Sequence, residues 1–297
     1  MTDTADLYAT ATGLIERSAA AYASGVPERT RDDGFFGPAS VTWRMSADLA
    51  SPVAGLRSLL MQALHPLAMA GVDQHSGWRR DPVGRLAATS AYLATVTFGE
   101  RAVAEQAAAR VRRIHDHVRG TDPVTGRAYA AGDPDLLVWV HAAQVDSGLA
   151  AAERYGAEFS DADRDGYVAE MTAAAELVGV PSGRAPASVA ELDAYFAAVR
   201  PELTLSPGAA DTAAYLTEMP AIEPELTDVW QVVAAAAVAA LPDWARDLYG
   251  WPDAVPPDRT EVRQVLGVLD AIYLGEPGVL EGRQRLALRM RAAESAR

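Results

Sequence analysis

The stretch that decides the fold runs Gly99-Glu100-Arg101-Ala102-Val103-Ala104-Glu105-Gln106-Ala107-Ala108-Ala109-Arg110-Val111-Arg112-Arg113-Ile114-His115-Asp116-His117-Val118-Arg119. Its apolar residues recur every three or four positions, the period of an amphipathic helix. On a wheel turning about 100° per residue, Ala107, Val111, Ile114 and Val118 fall within roughly 60° of one direction, the stripe expected to be buried. His115 is assigned to that stripe. His117 falls away from it, among Arg110, Arg113 and Asp116, and is expected to face solvent. A regular helix therefore does not let the two histidines chelate one metal.

The same period recurs outward in both directions, and no run of alternating β-branched residues competes with it. The pattern predicts helices near 4–24, 52–72, 83–97, 99–119, 134–156, 161–179, 188–199, 209–218, 223–241, 259–274 and 282–296. Pro52, Pro82 and Pro134 sit in first turns, where a missing N–H costs nothing. Ser160 with Asp163, and Ser188 with Glu191, have the spacing of capping arrangements. Gly120, Gly179 and Gly275 stand where helices should stop. Residues 25–42 and 119–133 read as ordered loops, and 252–258 as a rigid, proline-rich connection. The Pro/Gly-rich stretch Val180 to Ala187 is too short to separate a pair of domains. Residues 1–297 are therefore expected to form one all-α domain, with 251–297 as C-terminal helices.

Composition narrows the chemistry. The 297 residues are 49% hydrophobic, enough for a large core, and carry a net charge of -14. That charge repels phosphate backbones and argues against nucleic-acid binding, a helical transcription regulator included. The longest apolar run, Val232 to Leu241, is half of a membrane span. Met1 to Asp6 is polar and acidic, unlike a signal peptide, which leads to the expectation of a cytoplasmic protein. There is no cysteine, which excludes disulfides, iron–sulfur clusters, thiolate-ligated haem and thiol nucleophiles. All 26 basic residues are arginine, which excludes Schiff-base and P-loop lysine chemistry. Metal ligands must come from five histidines, the carboxylates, methionine or tyrosine.

Four of the five histidines lie between residues 65 and 117. His65 and His141 fall in segments that are apolar nearly all round, Leu59 to His65 and Leu136 to His141, and are expected to be buried with His115. Each is open to two readings: a neutral imidazole satisfied within the core, or a ligand. Pro66 should kink the helix beside His65 and free a backbone carbonyl. His75 is placed on a loop beyond that helix. In the helix 83–97, Arg85, Thr89, Tyr92 and Val96 form one stripe, with Leu86 and Leu93 beside it. An arginine facing inward requires a partner, either a carboxylate such as Asp133 or Asp135, or the carboxylate of a ligand. No Glu-x-x-His, His-Glu-x-x-His, Gly-x-Ser-x-Gly or Rossmann glycine motif is present.

Five ordered motifs resemble a known family: Phe36 to Arg44, Leu60-Met61-Gln62-Ala63-Leu64-His65-Pro66, Arg85-Leu86-Ala87-Ala88-Thr89, Arg110 to Gly120, and Tyr129 to His141. Together they are similar, over about residues 35–250, to the MpaB-type oxygenases and the latex-clearing rubber oxygenases. The resemblance implies an all-α fold of about ten to twelve helices around a buried pocket for haem b. It implies His115 as the iron ligand, Arg85 at a propionate and Thr89 as a hydrogen-bond donor in the haem pocket, with His65 and His141 as further pocket residues. The implied activity is oxygenation of a small, apolar metabolite with dioxygen or peroxide. The second reading is a helical haem- or ligand-binding protein without turnover. One departure matters: the rubber oxygenases carry a lysine just before that threonine, on the distal side of the iron, and here the position is Ala88.

Overall fold

The computed structural model describes residues 34–37, 39–219 and 226–274. The helices expected over 4–24 and 282–296, and the stop at Gly275, lie outside the described residues. Among the described residues the elements are twelve α-helices, one short 3-10 helix and one small hairpin: α1 Val41–Ser46, α2 Ser51–Ala63, α3 Pro66–His75, α4 Pro82–Phe98, α5 Arg101–His115, β1 Arg119–Thr121, β2 Ala128–Ala130, α6 Pro134–Tyr155, α7 Asp161–Val178, α8 Val189–Val199, the 3-10 helix Arg200–Glu202, α9 Pro207–Glu218, α10 Thr227–Ala239, α11 Asp243–Tyr249 and α12 Arg259–Leu274. The expected all-α class holds. The short helices α1 and α11 and the hairpin are additions to the sequence reading.

The core is built on α2 and α6, which lie against each other over most of their lengths. Helix α6 starts at Pro134, capped by the Asp133 side chain on Asp135 N, and buries residues on nearly all sides, from Leu136 to Tyr155. Such an all-round apolar helix is stable only when enclosed. Helices α2, α3 and α7 enclose it, and α10 and α12 close the far side of α2 and α6. The capping box at Ser160–Asp163 starts α7, and Gly179 ends it in a left-handed conformation with φ of 108°. Ser188 caps α8 as expected.

The helix predicted over 52–72 is two helices. Pro66 lacks an N–H and crowds the preceding turn. Helix α2 therefore stops at Ala63, His65 takes an extended conformation, and α3 starts at Pro66. The carbonyls around this break find partners from elsewhere in the chain. Gln62 O accepts from Trp139 Nε1 at 3.1 Å, Leu64 O from Thr204 N at 2.9 Å, and Leu60 O from Tyr249 Oη at 2.6 Å.

Residues 119–133, read as a loop, contain the antiparallel pair β1–β2, in which Gly120 faces Tyr129. Gly120 is thus within a strand and not a helix stop. A side chain there would collide with the Tyr129 hydroxyl, so the position requires glycine. Tyr129 packs with Leu67, Ala70 and Leu136, fastening the hairpin to α3 and α6.

Candidate functional site

Helices α4 and α5 pack against each other and carry the residues singled out in the sequence. Helix α5 ends at His115, the last residue before the Asp116 cap. Its buried positions are Ala104 and Ala108, with Val111 and His115 half-buried along the same line, while Ile114 is 53% exposed. The buried stripe is therefore turned by roughly 60° from the one expected, and His115, assigned to the expected stripe, lies half-buried on the observed one. His117 is exposed, as expected.

The His115 imidazole Nδ1 is buried and has no hydrogen-bond partner among the described residues. Its pKa is lowered from the ordinary histidine value, first by burial and then by the Arg85 guanidinium, against a smaller opposing pull from Asp116. Both leading causes favour the neutral ring, the form that offers a nitrogen lone pair to a metal.

Arg85, Thr89 and Tyr92 follow one another along α4 on the side of His115. Arg85 Nη1 donates to Thr89 Oγ1 at 3.3 Å, and that hydroxyl donates to Arg85 O at 3.0 Å. Arg85 itself is exposed, which corrects the expectation of a buried charge. Its guanidinium reaches water at the margin of the stripe, so no carboxylate is needed to offset burial. Neither suggested carboxylate meets it: Asp133 caps α6 and Asp135 pairs with Arg184. Among the described residues Arg85 makes no ion pair. Tyr92, on the same stripe, packs on the main core, and burial raises its pKa to about 12 despite nearby Arg112.

Among the described residues, the arginine that is buried is Arg57, on α2. It pairs with Asp146 at 2.6 Å and donates to Ala240 O at 2.8 Å and Ser147 Oγ at 2.6 Å. The sequence contains a signal for it, a lone cation inside the apolar run Leu56 to Leu60, but its partners lie on other helices.

His65 and His141 are buried, as expected. Each keeps one ring nitrogen without a partner among the described residues, Nδ1 in His65 and Nε2 in His141. Burial lowers both pKa values, that of His141 to about 4. They occupy different sides of α6. The His65 ring meets Trp139 at 5.8 Å, whereas His141 leaves the same helix roughly 160° around from Trp139. Leu137, one turn from His141, and Arg112 of α5 both approach Gly179. His75, assigned to a loop, is the last residue of α3, and its Nε2 meets Arg119 O at 3.2 Å.

The donor set bears on the cofactor that the resemblance implies. No group of three or more metal-ligating side chains occurs among the described residues, so a bare ion has no ready cage. A macrocycle that brings four of its own nitrogens needs one neutral histidine and a cation for its carboxylates. His115 and Arg85 meet that requirement.

The model of the catalytic domain of the ER-bound oxygenase mpaB/B′ and rubber oxygenases matches residues 43–272. The match extends past the motif region into α12. No curated protein and no solved structure matches the chain.

Proposed function

The chain belongs to this family of oxygenase catalytic domains, and from that premise we propose that it is a b-type haem-dependent oxygenase acting on a small, apolar metabolite. The observation that carries the reading is the His115 imidazole, neutral, buried at Nδ1 and without a protein partner there, beside a cation that pairs with no carboxylate among the described residues.

In this reading His115 ligates the iron, and Arg85 holds a propionate through its free N–H groups. Thr89 positions Arg85 by accepting from it, and keeps its own proton on the helix carbonyl. His141, buried with an unpartnered Nε2, would serve as a further pocket residue. His65 sits beyond Trp139 and acts, if at all, through that indole. Haem b supplies the iron at which dioxygen or peroxide is activated. Ala88 is exposed and its methyl group offers no donor atom, so this position would supply no ligand to a bound haem. The apolar character of the substrate follows from the surroundings, since Tyr92, Leu93 and Val96 supply ring and aliphatic surface along the same helix.

The test is spectroscopic. Purified protein, reconstituted with haem, should show a strong Soret band. His115→Ala should lose the haem or its native ligation, and His117→Ala should leave the spectrum unchanged. Protein that takes up haem but turns over no oxidant would favour a binding role. Equal sensitivity of both histidines, or of neither, would remove His115 from the site.

A further inference from the structure

Charge is not spread evenly along this acidic chain. Between Arg79 and Arg119 eight arginines stand against four carboxylates, whereas over the rest of the sequence eighteen stand against thirty-six. The inversion is concentrated on α5. Val103, Gln106, Arg110, Arg113 and Ile114 fall within roughly 100° of one another around that helix, and all five are exposed. Glu105 and Asp116 lie outside this arc, so it carries two cations and no carboxylate. Neither Arg110 nor Arg113 makes an ion pair among the described residues. Val103 and Ile114, each about half exposed, add apolar surface beside the two guanidinium groups. Arginine set among apolar side chains is the composition of a protein-binding surface.

We propose that this face of α5 docks an acidic protein that carries single electrons to the site on the other side of the helix. Three arguments select that partner. The first is shape: the outer side of a helix is convex and suits a macromolecule, not a small ligand. The second is charge. An acidic patch on the partner meets the arginines, while the surplus of carboxylates elsewhere on this chain turns other approaches away, so the field fixes the orientation. An anionic bilayer has no bounded patch and would bring its charge up against those carboxylates as well.

The third is distance. His115 ends the same helix, roughly 150° around from the centre of the arc, so a partner seated there is one helix thickness, about 10 Å, from the imidazole. At each encounter the carrier loses one electron and the iron of the proposed site gains it. No proton moves and no bond is made or broken. The destination of the electron rests on the haem reading, whereas the docking does not.

Two acidic carriers serve as probes, an iron–sulfur ferredoxin and a flavodoxin, each immobilised and presented with the full chain. Arg110→Gln with Arg113→Gln removes both positive charges from the face. Gln231→Glu with Gln264→Glu, at exposed positions on α10 and α12, lowers the net charge by the same amount elsewhere. At least one carrier should bind at low ionic strength and be released by salt, as screening requires. The arginine variant should bind about tenfold more weakly, and the charge-matched variant within about twofold of wild type. In haem-loaded protein, reduction by the reduced carrier, followed at the Soret band, should slow in the arginine variant by about the same factor. Equal weakening by both variants would trace the contact to net charge and overturn the proposal. So would binding to neither carrier, arginine-dependent binding to phosphatidylglycerol vesicles alone, or a docked carrier that leaves bound haem oxidised. Arginine-dependent docking by a protein that takes up no haem would uphold the interface and count against the haem reading instead.

Discussion

Acid should weaken the fold through His141, and the size of the effect follows from its burial. The residue is 6% exposed, and burial alone lowers its pKa from 6.5 to about 4. Between those values the unfolded chain binds a proton that the folded chain refuses, so stability is full above pH 6.5 and falls as pH drops toward 4. At about 1.36 kcal/mol per pKa unit, the complete loss is about 3 kcal/mol, of which about 2 kcal/mol is reached by pH 5. His65 and His115, also lowered, add to the acid sensitivity with the same sign. The assay is urea unfolding of cofactor-free protein at pH 7.5 and pH 5, wild type against His141→Leu. The variant should lose about 2 kcal/mol less than wild type over that interval. At pH 7.5 it should be no less stable than wild type, because the substitution removes a buried nitrogen that has no partner among the described residues. Equal pH dependence of the two proteins would refute the assignment of His141 as a buried neutral imidazole.

Other expectations concern charge and ligation. Asp146→Asn should cost about 3 kcal/mol in thermal or urea unfolding, the low end for a broken buried pair, because Arg57 keeps its bonds to Ala240 O and Ser147 Oγ. Unchanged unfolding would mean the pair is not the anchor between α2 and α6. Arg85→Ala, at an exposed position, should change the stability of cofactor-free protein by no more than about 0.5 kcal/mol. The same variant should release haem faster in a transfer assay; a loss of several kcal/mol without haem would make the residue structural. With alanine at position 88, ferric protein should bind imidazole or azide and shift its Soret band, and failure to do so would point to a native sixth ligand.

The fold is legible where end signals and period agree. Pro82 and Pro134 mark helix starts, Ser160 and Ser188 mark caps, and Gly179 marks a stop. It is not legible in elements shorter than the period needs. Helix α1 has six residues and α11 seven, too few for a stripe to repeat. The strands Arg119–Thr121 and Ala128–Ala130 have no alternating β-branched pattern. Their pairing depends on Tyr129 reaching α3 and on Asp122 capping the turn through Val124 N and Thr125 N.

For the candidate site residues, periodicity finds the helices that carry them, mistakes the face of α5 and misses an edge of α4. On α5 the larger Val111 and Ile114 outweigh Ala104 and Ala108, although alanine is what permits close packing there. On α4 the stripe is correct to within an edge position, and that edge places the Arg85 guanidinium in water. The buried cation, Arg57, shows in the sequence only as a lone charge in an apolar run; its partner Asp146 lies far along the chain, and sequence spacing records only local contacts.

The three buried histidine nitrogens do not share one place in the fold. An imidazole that keeps a nitrogen dry and unbonded costs about 1–3 kcal/mol, so each is a place where a ligand has something to offer. One planar ligand does not serve all three, because α6 stands between two of them: His65 lies against Trp139, and His141 leaves the opposite side of that helix. Arg112 of α5 and Leu137 of α6 both approach the space beside Gly179. On its side of α6, burial lowers the His65 pKa first, and Glu202, Arg127 and Asp122, which belong to the hairpin and to the short helical turn Arg200–Glu202, act on it next. His65 thus reports on that surface, away from the side of α6 that carries His141.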